Sequence, residues 1–287
     1  MIIRDEDLVA FLKWALPKLG RRWSGYRKVR GQVKGRLKER LAELGMEDLD
    51  EYRSLLEEHP EEWAVLDDYF RITISRFYRG RATFDALRKE VLPALAKNAS
   101  QTGRNVLKAW CIGSASGEEA YTLRLCWNLD VGRDFPSLEL EILGTDAGAH
   151  MIERARRACY PEGSLKELPE DWVERAFEKT EDVYDPLCLC DAFRRGVEFR
   201  LQDVRHEQPD GPFDLVLADP PYSSGAKGLI TDMSRRATLL LGADARIVVE
   251  HSRHEQVEQD AGQIRITDQR RFGDTMLSFY SYEKETE

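Results

Sequence analysis

Seven short apolar runs between Val106 and Tyr282 limit what this chain can fold into more than any other feature. They fall at Val106–Ile112, Leu138–Thr145, Val197–Leu201, Phe213–Ala218, Ala245–Glu250, Gln263–Thr267 and Met276–Tyr282. Helical stretches separate most of them. Strands alternating with helices predict an α/β domain, a largely parallel sheet with helices on both faces. The last two runs are too close for a crossover, so they are expected to pair antiparallel at one edge.

Upstream of Val106 the pattern differs. Leu8, Phe11, Leu12, Ala15 and Leu16 recur at helical spacing, as do Val29, Val33, Leu37 and Leu41, with Gly45 as a stop. Leu49, Tyr52, Leu55 and Leu56 make a third stripe, and Trp63, Leu66, Tyr69 and Phe70 a fourth. The expected division is a small all-α domain at 1–80, a connecting helix and polar loop at 81–105, and a catalytic α/β domain at 106–287. The helix is predicted at 82–96 and the loop at 97–105.

No apolar run approaches the ~18 residues that span a bilayer, and the N-terminus turns acidic at once, so a cytoplasmic protein is expected. Five cysteines without a framework are read as reduced thiols. No metal is expected, because Cys188-Leu189-Cys190 lacks a second ligand pair. The net charge of −9 hides an asymmetry: residues 18–40 hold ten Lys and Arg against the single acid Glu39. Such a segment on an acidic chain points to an anionic partner, an acidic protein helix or alternatively RNA. The chain is expected to act as a monomer.

The first strand runs into Gly113-Ser114-Ala115-Ser116-Gly117-Glu118-Glu119. Small residues let backbone approach a ligand closely. This loop lacks the spacing of a dinucleotide site, and its acids would repel a pyrophosphate but welcome a sulfonium ligand carrying an ammonium group. Asp146 ends the second strand, where an acid accepts hydrogen bonds from ribose hydroxyls. Asp203 follows the third, placed to accept from an adenine amino group. Together they predict S-adenosyl-L-methionine at the carboxyl ends of the strands. His251 and His254 are read as surface residues following the fifth strand.

Residues 5–217 resemble the chemotaxis-type (CheR) protein-glutamate methyltransferases, on Ile74-Ser75-Arg76-Phe77-Tyr78-Arg79, Ser114–Tyr121, Tyr160–Pro169 and Gly211-Pro212-Phe213-Asp214. The resemblance implies a Rossmann-like class I methyltransferase sheet. It also implies that Arg79 orients an acceptor carboxylate, that Thr73 and Ser75 line the cofactor, and that Gly113, Glu119, Asp146 and Asp203 bind it. In that family the helical domain helps dock an acidic receptor helix.

The pattern changes at the fourth strand, which ends in Asp219-Pro220-Pro221-Tyr222. That motif serves methyltransferases acting on planar amino nitrogens: the acid accepts from an exocyclic amine and the tyrosine stacks on its ring. Ile247–His251 and Arg270–Tyr280 are similar to the ribosomal RNA guanine methyltransferases (RsmD). The sequence therefore reads as a chimera joined within Phe213–Leu217, with Arg79, Asp219 and Tyr222 as candidate catalytic residues. The leading expectation is methylation of a protein glutamate. The alternatives are an exocyclic amine in RNA, a protein amide, or a non-catalytic cofactor-binding module.

Overall fold

The computed structural model describes residues 3–20, 23–26, 30–70, 75–182, 184–204, 206–219 and 228–283. It divides into two compact units, Met1–Ile74 and Ser75–Glu287.

The first unit is helical: α1 (Asp5–Lys18), α2 (Trp23–Tyr26), α3 (Arg30–Leu44), α4 (Leu49–Glu58) and α5 (Glu62–Tyr69). Their apolar stripes meet in one core of Leu8, Leu12, Leu16, Leu37, Leu41, Tyr52 and Phe70. Asp48 caps α4 by accepting from the backbone N–H groups of Asp50 and Glu51. A polar network is built into this core. Arg40 meets Glu62 at 2.7 and 2.9 Å, and Tyr52 donates to Glu62 at 2.7 Å. Burial pushes the Glu62 carboxyl up, and the bonds from Arg40 and Tyr52 more than reverse this, holding it below its ordinary range. Part of the basic segment is thus used internally: Lys34 pairs with Asp5 at 2.6 Å, and Arg36 donates to the Tyr69 carbonyl at 2.9 Å. Arg21, Arg22, Arg27 and Lys28 lie outside the described residues.

The second unit opens with α6 (Arg81–Ala86), one π-helical turn (Leu87–Val91) and α7 (Leu92–Gln101). The helix passes the expected end at Ala96 because Ala99 extends the buried stripe of Leu92, Leu95 and Ala96. Then follow β1 (Val106–Ile112), α8 (Glu118–Leu129), β2 (Glu139–Asp146), α9 (Ala149–Arg157), β3 (Cys159–Tyr160), α10 (Glu170–Ala176), β4 (Phe177–Lys179), β5 (Leu187–Leu189), α11 (Asp191–Arg194), β6 (Val197–Leu201) and β7 (Phe213–Ala218). The unit ends with α12 (Leu229–Ser234), α13 (Ala237–Leu240), β8 (Leu241–Ser252), β9 (Asp260–Ala261), β10 (Ile264–Phe272) and β11 (Thr275–Tyr282).

The main sheet has the order β6-β2-β1-β7-β8-β11-β10-β9. Its first five strands pair in parallel, and β11 and β10 close one side as the expected antiparallel pair. Alternation along β1 sends Leu107, Ala109 and Cys111 to one core and Trp110 and Ile112 to the other. This is a Rossmann-like methyltransferase sheet, preceded in the chain by an all-α domain.

Two expectations are corrected. A second sheet, β3-β5-β4, was not foreseen, because its strands are two or three residues long. It pairs Cys159 with Cys188 at a Cα–Cα distance of 3.9 Å, and their sulfurs are bonded, so these two are not reduced thiols. Cys111, Cys126 and Cys190 are free. His251 is also not a surface residue. It is 2% exposed within β8, with Nε2 2.8 Å from Ser278 Oγ and Nδ1 3.0 Å from the Ser252 carbonyl. The strand simply runs further than the apolar run that announced it. His254 is exposed.

Candidate active site

The parallel strands deliver their carboxyl ends to one edge. Gly113 leaves β1 with φ +72°, and a Cβ built there would meet nothing within 4 Å, so the loop faces open space. Its backbone is tied down from behind: Gly113 and Ser114 both donate to the Thr145 carbonyl, at 2.8 and 2.9 Å. Asp146 holds it from the side, with Oδ2 accepting from Ala115 and Oδ1 from Gly148. Gly117, at φ +91°, cannot be replaced, because a Cβ would come within 2.9 Å of the Phe199 ring.

The two glutamates after this loop part company. Glu118 is 2% exposed and turned inward. Ser116 Oγ donates to it at 2.8 and 2.9 Å, and Ser75 also donates to it, so Glu118 braces the loop. Glu119 is half-buried, and its Oε1 is shielded without a partner among the described residues. Burial pushes its pKa up to about 8, helped by Asp219 and Glu250 and opposed by Arg79. A shielded carboxylate oxygen with no partner, beside an open glycine loop, suits a cationic ligand.

Arg79 is exposed and rides on a tight turn. Tyr78 and Gly80 flank it with φ of 57° and 70°. Tyr78 anchors one side, its N–H donating to Thr122 Oγ1 and its hydroxyl to Asp85. Asp219 is the residue after β7. Burial raises its pKa and Arg79 opposes the rise. The structure thus brings Arg79, Glu119 and Asp219 together and adds Glu250, which the sequence pattern does not single out. Its signals in the sequence are its place in the RsmD-like segment Ile247–His251 and as the acid that ends the apolar run Ile247–Val249.

Asp203 lies two residues beyond β6, half-buried, its backbone carbonyl accepting from His206 and Glu207. Gln202 beside it donates its N–H to the Asp146 carbonyl at 2.9 Å, joining the adenine and ribose ends of the expected cradle. Thr73 and Tyr222 lie outside the described residues.

The family described as "CheR methyltransferase, SAM binding domain" matches residues 73–219, just over half of the chain. The chain belongs to the CheR methyltransferase family. The CheR all-alpha domain matches residues 7–70. A different family, "Conserved hypothetical protein 95", matches residues 186–281 and overlaps the CheR match over 186–219, from β5 through β7. S-adenosylmethionine is the cofactor of the matched domain, and the partnerless oxygen of Glu119 and the open Gly113 loop fit it.

A chemotaxis protein methyltransferase of Listeria monocytogenes is 32% identical over 163 residues, covering 55% of this chain and 58% of that protein. One from Borreliella burgdorferi is 25% identical over 254 residues, covering 87% and 88%. Against the Listeria relatives the chain spans little more than half their length. Among solved structures, a conserved hypothetical protein of Streptococcus pyogenes has a TM-score of 0.41 at 14% identity, covering 62% of this chain and 88% of that one. No helix among the described residues is long and apolar enough to cross a membrane.

Proposed function

We propose that this chain transfers the methyl group of S-adenosylmethionine to a protein side-chain carboxylate, a glutamate on an acidic, chemoreceptor-like helix. The observation that carries this reading is the Arg79 guanidinium, exposed on a fixed turn and close enough to Glu119 and Asp219 to influence both carboxyls. The cofactor, when bound, supplies an electrophilic methyl on a sulfonium. Glu119 would meet its cationic end, Asp146 its ribose and Asp203 its adenine. Arg79 offers a two-pronged fork that matches an acceptor carboxylate. A glutamate, with an ordinary pKa of about 4.3, is ionised at neutral pH. It therefore needs alignment and no general base. An acceptor oxygen held by Arg79 would bond to the methyl carbon as the carbon–sulfur bond breaks, its electrons staying with sulfur. The basic segment 18–40 supports an acidic partner, and several relatives are named chemotaxis protein methyltransferases.

A second reading rests on Asp219. It begins Asp219-Pro220-Pro221-Tyr222 and shares one guanidinium with Glu119 and Glu250, an array of acceptors suited to a planar N–H-bearing acceptor such as an RNA exocyclic amine or a protein amide. The match to residues 186–281 favours the same reading. The test offers methyl-labelled cofactor with two acceptors, a chemoreceptor cytoplasmic fragment and unmodified small ribosomal subunits. Base-labile label on the protein supports the carboxylate reading. Alkali-stable label on RNA overturns it in favour of the amine. Cofactor binding without label on either acceptor supports a non-catalytic module.

A further inference from the structure

Glu250 meets the turn that carries Arg79. Ala218 of β7 pairs with Val249 of β8, so Asp219 and Glu250 stand at neighbouring positions at the carboxyl edge. Alternation places them on one face: Leu217 and Val248, two residues before each, both enter the core that contains Tyr78 and Phe84. From that face Glu250 reaches back across the sequence. Its Oε2 accepts from Thr83 Oγ1 at 2.9 Å, across 167 residues. A Cβ added to Gly80 would lie 2.7 Å from the same oxygen and 3.1 Å from Thr83 Oγ1. Thr83 N–H in turn donates to the Gly80 carbonyl at 2.7 Å. The carboxylate is therefore packed directly against the backbone one residue from Arg79.

We propose that Glu250 is a positioning residue of the acceptor site, which fixes the Tyr78–Gly80 turn through Thr83 and so aims the Arg79 guanidinium. The proposal rests on the reading that Arg79 orients a carboxylate acceptor; the placement of the turn itself does not depend on which acceptor is bound. The cofactor head and the Arg79 turn come from the part of the chain matched by CheR, whereas Glu250 lies in the C-terminal part that only the second family matches. Glu250 is thus where the tail acts on the chemistry of the front.

The test uses the full chain and two readouts. Glu250→Ala should lower kcat about tenfold or more, since small misplacements of an orienting group cost up to ~100-fold, while affinity for S-adenosylmethionine stays within about twofold. Glu250→Gln keeps an oxygen for Thr83 and should recover most of the lost kcat. The second readout needs no turnover: the Arg79 Nε–H resonance, assigned by its loss in Arg79→Lys, should shift and exchange faster with solvent in Glu250→Ala. If Glu250→Ala does not fold, Thr83→Val removes the donor alone and should give the same signature. A wild-type kcat and an unmoved Arg79 resonance in either variant would overturn the proposal. If the wild type methylates no acceptor, the function reading fails, and the resonance still decides the role of Glu250.

Discussion

Asp146 Oδ2 accepts the backbone N–H of Ala115 at 2.9 Å, so the acid expected at the ribose also shapes the loop in front of it. Ala115 is 4% exposed and sits at φ +45°, a conformation that the hydrogen bond helps to hold.

Asp146→Ala is therefore expected to do two things at once. Leaving a buried donor unpaired costs about 1–3 kcal/mol, which lowers the melting temperature. Loss of both loop order and ribose acceptor should weaken cofactor binding by about ten- to hundredfold, on the order of 1.4 kcal/mol per tenfold. Asp146→Asn, which keeps one acceptor oxygen, should fall between. Calorimetric titration with S-adenosylmethionine and a thermal melt measure the two effects.

Glu119 predicts a pH dependence. Its folded pKa, about 8, lies above the ordinary carboxylate value. Its contribution to stability is then fully present below the unfolded pKa of about 4.3 and is lost as pH rises towards 8. A cationic ligand favours the ionised form, so binding should tighten as pH rises through 8 and release protons at pH 7. Titrations at pH 7 in buffers of different ionisation enthalpy will report that release. Glu119→Gln should abolish both the release and the pH trend.

Arg79 and Asp219 separate the two acceptor readings. If the acceptor is a carboxylate, Arg79→Ala should lower kcat/KM by about 100-fold or more, the scale of a lost positioning contact, and Asp219→Ala should have a much smaller effect. If it is an amine, the order reverses. Initial rates on the two acceptors, with cofactor affinity measured in parallel, give the answer.

In the helical unit, Glu62→Ala removes the acceptor shared by the half-buried Arg40 and the buried Tyr52, while Arg40 keeps its bond to Glu43. Leaving the Tyr52 hydroxyl without its acceptor costs about 1–3 kcal/mol, and denaturant unfolding of the variant should show a loss of that size. The Glu62 carboxyl is held below its ordinary range. Its contribution is present at neutral pH and lost as pH falls below about 4. Glu62→Gln should flatten that acid limb.

The main sheet was legible because periodicity reports burial, and seven strands were marked by apolar runs that only a sheet core explains. The acids proposed to hold the cofactor were picked out by position: Asp146 ends β2, Asp203 lies two residues beyond β6, and Glu119 stands in the first turn of α8 after the β1 loop. The small second sheet was not, because Cys159–Tyr160 and Phe177–Lys179 are too short to show a period. The different fates of Glu118 and Glu119 were also hidden. Which of two adjacent acids turns inward depends on Ser116 and Ser75, brought together only by folding. Glu250 was missed because its meaning lies in a contact with Thr83 that no local pattern encodes.

Strand β7 lies between β1 and β8 in the middle of the sheet, and both family matches include it. The residues expected to hold the cofactor all precede its last residue, and the segment after it supplies Asp219 and Glu250, which are proposed to serve the acceptor. Ala218 is thus a natural crossover point for recombination. A library that keeps residues 1–218 and exchanges the remainder among homologous tails would vary acceptor choice on a constant cofactor head, provided each tail carries an acid at the position of Glu250.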